Sequence, residues 1–371
     1  MAKRLAFAMV LLISAVLIAF LLSVPAPAVR LTSDADDRIP VPPEPMPVPP
    51  PPIPLPGPAS LIRLIDRVTV EGPYVDRGLS VFVLAAREPE NHLDYLSFDE
   101  GLASGQIVVQ ELAAGSVPTL QVRNLSDRWA FLLAGELVAG GKQSRTVRED
   151  TLLPPRSAAW INLPVYCIEQ HRWSAPGAFG SAKAAAPNAL RSGINQDYDQ
   201  ARVWTEAKRA QESAGVSSPT DDLTSVYTDP KTAAGIDDIT ARILRLIPRR
   251  EYVGLVVARG RQIVSADLFA NGALYSKLYE KVIRSHVAEI FREKILYDGL
   301  ASVEDARAFL ARVRDASCLQ RPAGSGVGLL LSIRGGGIGG QELEYEGQCI
   351  HAAVFPQIVV PVPLPHPMPR E

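Results

Sequence analysis

The chain has 371 residues, a formal net charge of −2 and 47% hydrophobic residues. This composition can supply a sizeable buried core for one large or two ordinary domains. The balanced charge provides no overall basic field, which argues against general nucleic-acid binding.

The first 30 residues contain a segment that must enter a membrane. Lys3 and Arg4 precede an uncharged run at 5–22, which is long enough to span a bilayer of about 30 Å as a helix. Small residues at 26–28 have cleavage spacing, but the apolar run exceeds the roughly 7 to 15 residues usual in a cleaved signal peptide. We therefore expect residues 1–30 to be a membrane anchor, with a cleaved signal peptide as the alternative. The basic flank places the remaining chain on the outer side of the cytoplasmic membrane, either anchored in the cell envelope or secreted into the periplasm.

Proline-rich segments flank the predicted globular part. Residues 31–60 should form an extended polyproline spacer, because proline fixes φ and removes backbone donors. A docking ligand for a proline-recognising domain is the alternative. A second proline-rich segment forms the tail at 359–371. Between them, residues 61–358 are predicted to be one globular α+β domain.

Short runs of β-forming residues dominate residues 61–173. The runs are rich in branched and aromatic residues and are divided by turn residues. They are IRLIDRVTV, GLSVFVLAAR, GQIVVQEL, TLQVRN, WAFLLAGELVA and AAWINLPVYCIE. This regular spacing predicts an antiparallel, sandwich-like half.

Helical patterns follow in residues 195–358, after a segment at 174–195 whose composition predicts a loop. The predicted helices are DYDQARVWTEAKRAQESAG, IDDITARILRLI, ALYSKLYEKVIRSHVAEIFREKI after an Asn271 cap, and VEDARAFLARVRDA after a Ser302 cap. A hairpin with Arg259-Gly260 at its turn and a C-terminal return to strand pattern complete the α+β fold. GGGIGG, residues 335–340, predicts a flexible loop because no helix follows it.

Charge is segregated in the second half of the chain. Residues 195–238 carry nine acidic and four basic side chains, whereas residues 242–294 carry eleven basic and five acidic ones. Two complementary helix faces are the simpler explanation, and an anion-binding surface is the alternative.

Two short polar segments hold the candidate site residues. GELVAGGKQSR, residues 135–145, has only part of the spacing of a phosphate-binding loop, and no helical pattern follows it. A strand–turn–strand unit with Lys142 at its tip is therefore predicted. CIEQHRW, residues 167–173, ends the last strand of the β-rich half. If the strands around Ala134 and Val165 are neighbours, both segments reach one rim of a sheet, where loops commonly bind ligands.

Several stretches resemble the ARG and rhodanese-phosphatase superfamily-associated protein domain family over roughly residues 70–295. They are YLSFDEGLASGQIVVQEL, SVPTLQVRNLSDRWAFLLAGELVAGGKQSRTVREDTLLPP, LPVYCIEQHRW and VVARGRQIVSADLF. The resemblance is most specific where the family has a Gly-Glu step, a Gly-Gly/Ala-Lys-Gln-x-Arg turn and a Cys-x-Glu-Gln-x-Arg-Trp ending. It implies a recognition surface made of Glu136, Lys142, Gln143, Arg145, Glu169, Gln170, Arg172 and Trp173.

The activity implied by the resemblance is limited. The family is named for its association with ADP-ribosylglycohydrolase and rhodanese-phosphatase proteins, and it has no established activity of its own. By analogy alone, it implies a nucleotide or ADP-ribose-like anionic ligand. The membrane-entry segment and the spacer depart from the usual family pattern, which argues against a cytoplasmic nucleotide role.

No complete catalytic constellation is visible in the sequence. The five histidines lack metal-ligand spacing, so neither a metal nor another cofactor is expected. Cys167 and His171 are interpreted as a buried thiol and a surface imidazole rather than as a nucleophile and its base. Asp267 is interpreted as part of the helix start near Asn271 rather than as a catalytic carboxylate.

The leading hypothesis is a ligand-binding or sensing module outside the membrane, with an anionic small molecule as its partner. One alternative is a hydrolase of a nucleotide or glycosidic substrate, in which Glu136 or Glu169 acts as general acid or base. A second alternative is an envelope module that binds another protein. Whether the chain is an enzyme stays open at this stage.

Overall fold

The computed structural model describes residues 55–113, 115–174, 177–293 and 298–358. The predicted anchor with its apolar segment at 5–22, most of the spacer and the proline-rich tail lie outside these residues. Of the described helices, none combines the length and the apolar composition needed to cross a membrane.

In the described part of the chain, the strands form three sheets, and almost all neighbouring strands are antiparallel. The largest sheet has nine strands in the order β1 (Leu55–Pro56), β15 (Ala316–Pro322), β16 (Leu329–Gly335), β17 (Ile338–Tyr345), β18 (Gln348–Pro356), β14 (Gln262–Phe269), β13 (Gly254–Arg259), β3 (Leu79–Ala86) and β2 (Val68–Asp76). A six-stranded sheet has the order β12 (Phe179–Ala185), β8 (Glu136–Gly140), β9 (Arg145–Val147), β11 (Ile161–Cys167), β6 (Thr119–Asn124) and β5 (Ile107–Glu111). The smallest sheet contains β10 (Thr151–Leu153), β7 (Trp129–Leu132) and β4 (Tyr95–Ser97), and its β4–β7 pair is parallel.

Helices lie between and around these sheets. They are α1 (Ala59–Arg67), α2 (Phe98–Ala103), α3 (Asn188–Ile194), α4 (Gln200–Ala214), α5 (Ser225–Thr228), α6 (Pro230–Leu246), α7 (Gly272–Ile290) and α8 (Val303–Ala311), followed by a 3₁₀ turn at Arg312–Asp315. The predicted α+β class is confirmed, with antiparallel sheets in the first half and helices with a further sheet in the second.

The helix boundaries follow the predicted capping chemistry. Helix α4 ends at Gly215, which has a left-handed φ of 63°. Asn271 caps α7 by accepting a hydrogen bond of 2.8 Å from the Leu274 N–H. Ser302 and Asp305 form the predicted capping box of α8.

The nine-stranded sheet is covered on both faces. Along β3, Val81 and Val83 pack into the large core against the long helices, whereas Phe82 and Leu84 pack against α1 and α8. This alternation reflects the two-residue period of a strand. A separate core lies between the six-stranded and three-stranded sheets, which makes this part of the fold sandwich-like.

The structure corrects three local predictions. Residues 62–67 belong to helix α1 rather than to a strand, because the buried Leu61 and Leu64 lie three residues apart, as on one helix face. The predicted loop at 174–195 contains β12, which packs through buried alanines, and α3, which buries Leu190, Arg191 and Ile194. The predicted flexible loop at 335–340 contains the turn of the β16–β17 hairpin and the start of β17.

Candidate functional site

The two polar segments meet in the six-stranded sheet. Strand β9 lies between β8 and β11, and Arg145 is paired with Cys167 across the β9–β11 ladder. The segments before and after these two residues therefore come together at one end of the sheet. The strands that follow Ala134 and contain Val165, β8 and β11, are not direct neighbours, because β9 lies between them; the two polar segments meet through the β9–β11 pair instead.

The β8–β9 connection is a tight turn rather than a phosphate-binding loop. Gly140 and Gly141 have φ values of 98° and 58°, a region that favours glycine. A Cβ on Gly140 would lie 2.2 Å from the Ala178 carbonyl oxygen. The Lys142 N–H donates to a Glu111 carboxylate oxygen at 2.8 Å. The predicted strand–turn–strand unit is confirmed.

Glu169 joins the two segments through its carboxylate. It accepts hydrogen bonds from the Ser144 N–H at 2.9 Å, from the Arg172 guanidinium at 2.6 and 2.7 Å, and from the Thr220 hydroxyl at 2.7 Å. Burial raises the pKa of this carboxyl, but the hydrogen bonds from Arg172, Ser144 and Thr220 outweigh burial and hold the pKa below its usual range. Glu169 is therefore an ionised anchor of the turn.

Arg145 is the unusual residue of this site. Its side chain is 0% exposed, and it forms no ion pair within the described part of the chain. Its Nη1 donates to the Gln143 side-chain oxygen at 3.2 Å and to the Ser144 carbonyl at 3.4 Å. Its Nε and Nη2 have no hydrogen-bond partner among the described residues. Burial lowers the pKa of this guanidinium.

The Trp173 ring lies beside both the buried Arg145 guanidinium and the Lys142 ammonium. The Trp173 ring centroid is 6.0 Å from the Arg145 guanidinium carbon and 4.9 Å from the Lys142 ammonium, distances that allow cation–π contact. Trp173 itself is 51% exposed. The exposed indole thus lies next to two basic side chains, of which Arg145 is buried.

Cys167 is held beside Arg145 as a protonated thiol. Its Sγ lies 3.2 Å from the Gln143 side-chain oxygen and 2.9 Å from the Glu169 carbonyl, so its single proton has two acceptors within hydrogen-bond distance. Burial raises the pKa of this thiol. His171 is exposed and lies 3.2 Å from the Asp221 carboxylate. The predicted buried thiol and surface imidazole are confirmed.

Two of the eight predicted site residues stand apart from this cluster. Gln170 is exposed. Glu136 is 1% exposed and forms an ion pair with Lys281 of α7, which also pairs with Asp99 at 2.7 Å. Its other oxygen accepts the Leu133 N–H at 2.8 Å. Burial raises the pKa of Glu136 to about 6, although Lys281 opposes this rise.

A second buried polar group joins the sheets, and the sequence analysis did not predict it. His351 Nδ1 lies 2.6 Å from the Asp150 carboxylate, and its Nε2 lies 3.4 Å from the Asp267 carboxylate. Asp267 accepts a hydrogen bond of 2.5 Å from Arg191. All four side chains are 0% exposed. The signal available in the sequence was a histidine inside the apolar strand CIHAAVF.

In this group, each charged side chain stabilises the ionised form of its neighbours. Burial lowers the pKa of His351, but Asp150 and Asp267 outweigh burial and raise it to about 9. Burial raises the pKa of Asp267, while Arg191 and His351 hold it well below its usual range. Asp267 is thus part of an internal ion-pair network, and Asn271 alone provides the helix cap that the sequence analysis placed near both residues.

Comparison with known proteins gives one match. The family model described as ARG and Rhodanese-Phosphatase-superfamily-associated Protein domain matches residues 67–355, which is a longer match than the sequence motifs indicated. No curated protein and no solved structure matches the chain.

Proposed function

The chain belongs to the ARG and Rhodanese-Phosphatase-superfamily-associated Protein domain family, and we propose that this member is a binding or sensing module for a small anionic ligand. The ligand would be held by Arg145, with Lys142 and Trp173 completing the site. A phosphate or carboxylate group would make the contact with the guanidinium. A nucleotide or ADP-ribose-like molecule is the ligand that the family name suggests by analogy.

The observation that supports this proposal most strongly is that two nitrogens on one edge of the Arg145 guanidinium have no hydrogen-bond partner among the described residues. Nε and Nη2 are the two nitrogens whose N–H groups point in the same direction along one edge of a guanidinium. Both lack a partner among the described residues, while the whole side chain is buried. Two parallel donors of this kind match the two oxygens of a carboxylate or phosphate. A buried charge without a counterion is costly, so a residue with this environment suggests a ligand that supplies one.

The surrounding residues leave Arg145 available for an external anion. Two carboxylates lie near Arg145, and neither is within ion-pair distance of it in the described part of the chain: Glu169 is already committed to Arg172, Ser144 and Thr220, and Glu111 accepts the Lys142 N–H at 2.8 Å. The exposed Trp173 lies over Arg145, so its indole would have to turn aside for a ligand to enter. Once displaced, the indole could stack on a planar part of the ligand.

The hydrolase alternative has weaker support. Glu136 and Glu169, its candidate acid and base, are 1% and 2% exposed and are both engaged in ion pairs. They belong to different polar groups rather than facing one cleft. Binding requires only converging donors, which Arg145 and Lys142 can supply.

Variant Arg145→Met tests the proposal, because methionine keeps much of the side-chain volume and removes the charge. Among inorganic phosphate, AMP, ADP-ribose and glucose 6-phosphate, we expect at least one to raise the melting temperature of the parent protein. We expect the variant to lose most of that increase. Without ligand, its free energy of unfolding should equal or exceed that of the parent, since an uncompensated buried charge has been removed.

The control for this experiment is Arg307→Met, which removes a surface arginine whose side chain is 56% exposed. It should leave ligand-dependent stabilisation unchanged. Trp173→Ala, a change at an exposed position, provides a second variant that should weaken stabilisation while preserving the fold. The proposal is wrong if the parent is not stabilised by any of the four compounds, or if Arg145→Met retains the full effect.

We also propose that the module works outside the cytoplasmic membrane, anchored by residues 5–22 or released after cleavage. The support is the uncharged apolar run behind Lys3 and Arg4. Mass spectrometry of protein purified from the native membrane and soluble fractions should find an intact N-terminus in the membrane fraction. A product beginning near Val29 would instead indicate cleavage. An intact chain found only in the soluble fraction would contradict both the anchored form and the cleaved form.

A further inference from the structure

A cleft lies between the end of α6 and the start of α7, and none of the residues assigned to ligand binding above lines it. It encloses about 840 Å³. Small-molecule sites typically occupy roughly 300 to 1,000 Å³, so this cleft is large enough for a metabolite. Its lining combines basic, aromatic and backbone donor groups from the segment after α6 and from the first turns of α7.

The charge of the cleft is mainly positive. Arg245, Arg249 and Arg250 line it, together with the single carboxylate of Glu251. Arg250 is engaged by Glu71 and by the Tyr252 hydroxyl. Arg245 and Arg249 are exposed, and neither forms an ion pair with any residue in the described ranges.

The start of α7 adds backbone donors to this positive region. Gly272 and Ala273, the first two residues of this 19-residue helix, line the cleft. The Asn271 side chain caps the Leu274 N–H and leaves the first two N–H groups unpaired among the described residues. Such groups, with the helix dipole, favour an anion at this end of a helix.

The aromatic wall of the cleft contains an unpaired hydroxyl. Tyr275 and Tyr279 are stacked with ring centroids 4.9 Å apart, and Tyr252 meets Tyr275 edge-on at 6.1 Å. Tyr275 lines the cleft and is only 4% exposed, yet its hydroxyl has no hydrogen-bond partner within the described residues. Buried hydroxyl groups are normally paired, so a partner from outside the chain would complete this one.

We propose that this cleft is a second ligand site, which takes a planar ring carrying a phosphate monoester. The phosphate would lie at the N-terminus of α7 between Arg245 and Arg249. The ligand ring would lie against the exposed side of the Tyr279 ring. A small shift of the Tyr279 ring would then bring the Tyr275 hydroxyl within hydrogen-bond distance of the ligand. The site is independent of Arg145 and does not rest on the function proposed for that residue.

The test uses phenyl phosphate, the simplest compound with both features, and measures its binding to the full chain by isothermal titration calorimetry. We expect saturable binding that is tighter than the binding of inorganic phosphate or phenol. The double variant Arg245→Ala, Arg249→Ala should weaken it by about tenfold or more, because each charge-assisted hydrogen bond contributes appreciably to affinity. Tyr275→Phe, which removes only the hydroxyl, should weaken it several-fold.

Two further variants separate this site from the one at Arg145. Binding to the cleft should persist in Arg145→Met, whatever that change does to other ligands. The matched control Arg209→Ala, Arg307→Ala removes two exposed arginines elsewhere and should leave phenyl phosphate binding unchanged. Circular dichroism establishes that each variant is folded.

The proposal is overturned if the parent shows no saturable binding of phenyl phosphate, or if the Arg245 and Arg249 double variant binds it as well as the control does. Loss of all binding in Arg145→Met would assign the phosphate to the other site. Equal affinity for phenyl phosphate and inorganic phosphate would overturn the role given to the tyrosine wall.

Discussion

His351 is a fully buried histidine that lies between two carboxylates. Asp150 and Asp267 contact its two ring nitrogens, and Arg191 contacts Asp267 on the other side. The alternating signs compensate one another, since two acidic and two basic groups share one interior region. Removal of any single member would leave a buried charge unpaired. The free-energy cost of that unpaired charge is larger than the net stabilisation that the intact network provides.

The raised pKa of His351 predicts a loss of stability at alkaline pH. The folded-state pKa of about 9 lies above the ordinary value of 6.5, so the stabilisation is fully present below pH 6.5. It is lost as the pH rises from about 6.5 to about 9, because over this range the unfolded chain has released a proton that the folded protein still binds. The loss should be on the order of 3 kcal/mol.

Urea denaturation at several pH values between 6.5 and 9 checks this prediction when His351→Gln is compared with the parent. The variant should be less stable at pH 6.5, and the difference between the two proteins should shrink as the pH rises. Groups that do not contact His351 titrate equally in both proteins and cancel in this difference. Parallel stability curves for the two proteins would show that His351 is not the titrating group.

The sequence predicted that the two polar segments meet at one end of a sheet, because each segment is local and flanks a strand. Gln143, Arg145, Glu169 and Arg172 meet as expected. Glu136 could not be assigned correctly, because its partner Lys281 lies 145 positions away and nothing in the local pattern indicates it. The same holds for Thr220, which reaches Glu169 from a distant loop. The polar segments and the strands that they flank can be predicted from the sequence here, whereas the long-range pairing of buried charges cannot.

At the level of elements, prediction succeeded where a side chain determines a boundary. Gly215, Asn271 and Ser302 each end or start a helix through local chemistry that depends only on neighbouring residues. Prediction was wrong at α1, whose β-branched isoleucines favour a strand in isolation. Packing of Leu61 and Leu64 against the nine-stranded sheet overrides that preference.

The sequence also failed to predict strand β12 and helix α3, although their composition differs from that of α1. Their alanines, glycines and serines carry little periodic signal, so the segment resembles a loop. In the structure, the small side chains of Ala184, Ala185 and Ala186 allow close packing and are almost completely buried. The hydrogen bond of 2.8 Å from the Ala186 N–H to the Gly135 carbonyl also connects this segment to the strand that leads into the candidate site. Tertiary contacts, rather than propensity, thus define these two elements.

At the scale of the whole molecule, the order of strands in space differs from their order in sequence. Strands β2 and β3 come first in the β-rich half, yet they complete the nine-stranded sheet beside β13. The N-terminal residues at 79–84 therefore pack against strands and helices that follow residue 250. The largest sheet cannot form until both ends of the domain are present.

This arrangement predicts that residues 61–173, the β-rich half, do not fold alone. Such a fragment retains the small core between the six-stranded and three-stranded sheets, but β3 loses its neighbour β13, the long helices that cover one of its faces, and helix α8, which with α1 covers the other. Val81, Phe82, Val83 and Leu84, all 0% exposed in the domain, would then become accessible to water. An exposed strand that is apolar on both sides also promotes association between chains.

In urea denaturation followed by near-ultraviolet circular dichroism, the fragment should therefore lack a cooperative transition, whereas residues 55–358 should show one. A cooperative transition with native-like aromatic signals in the fragment alone would mean that the nine-stranded sheet is not needed to stabilise the first half, and that the two halves are separable units.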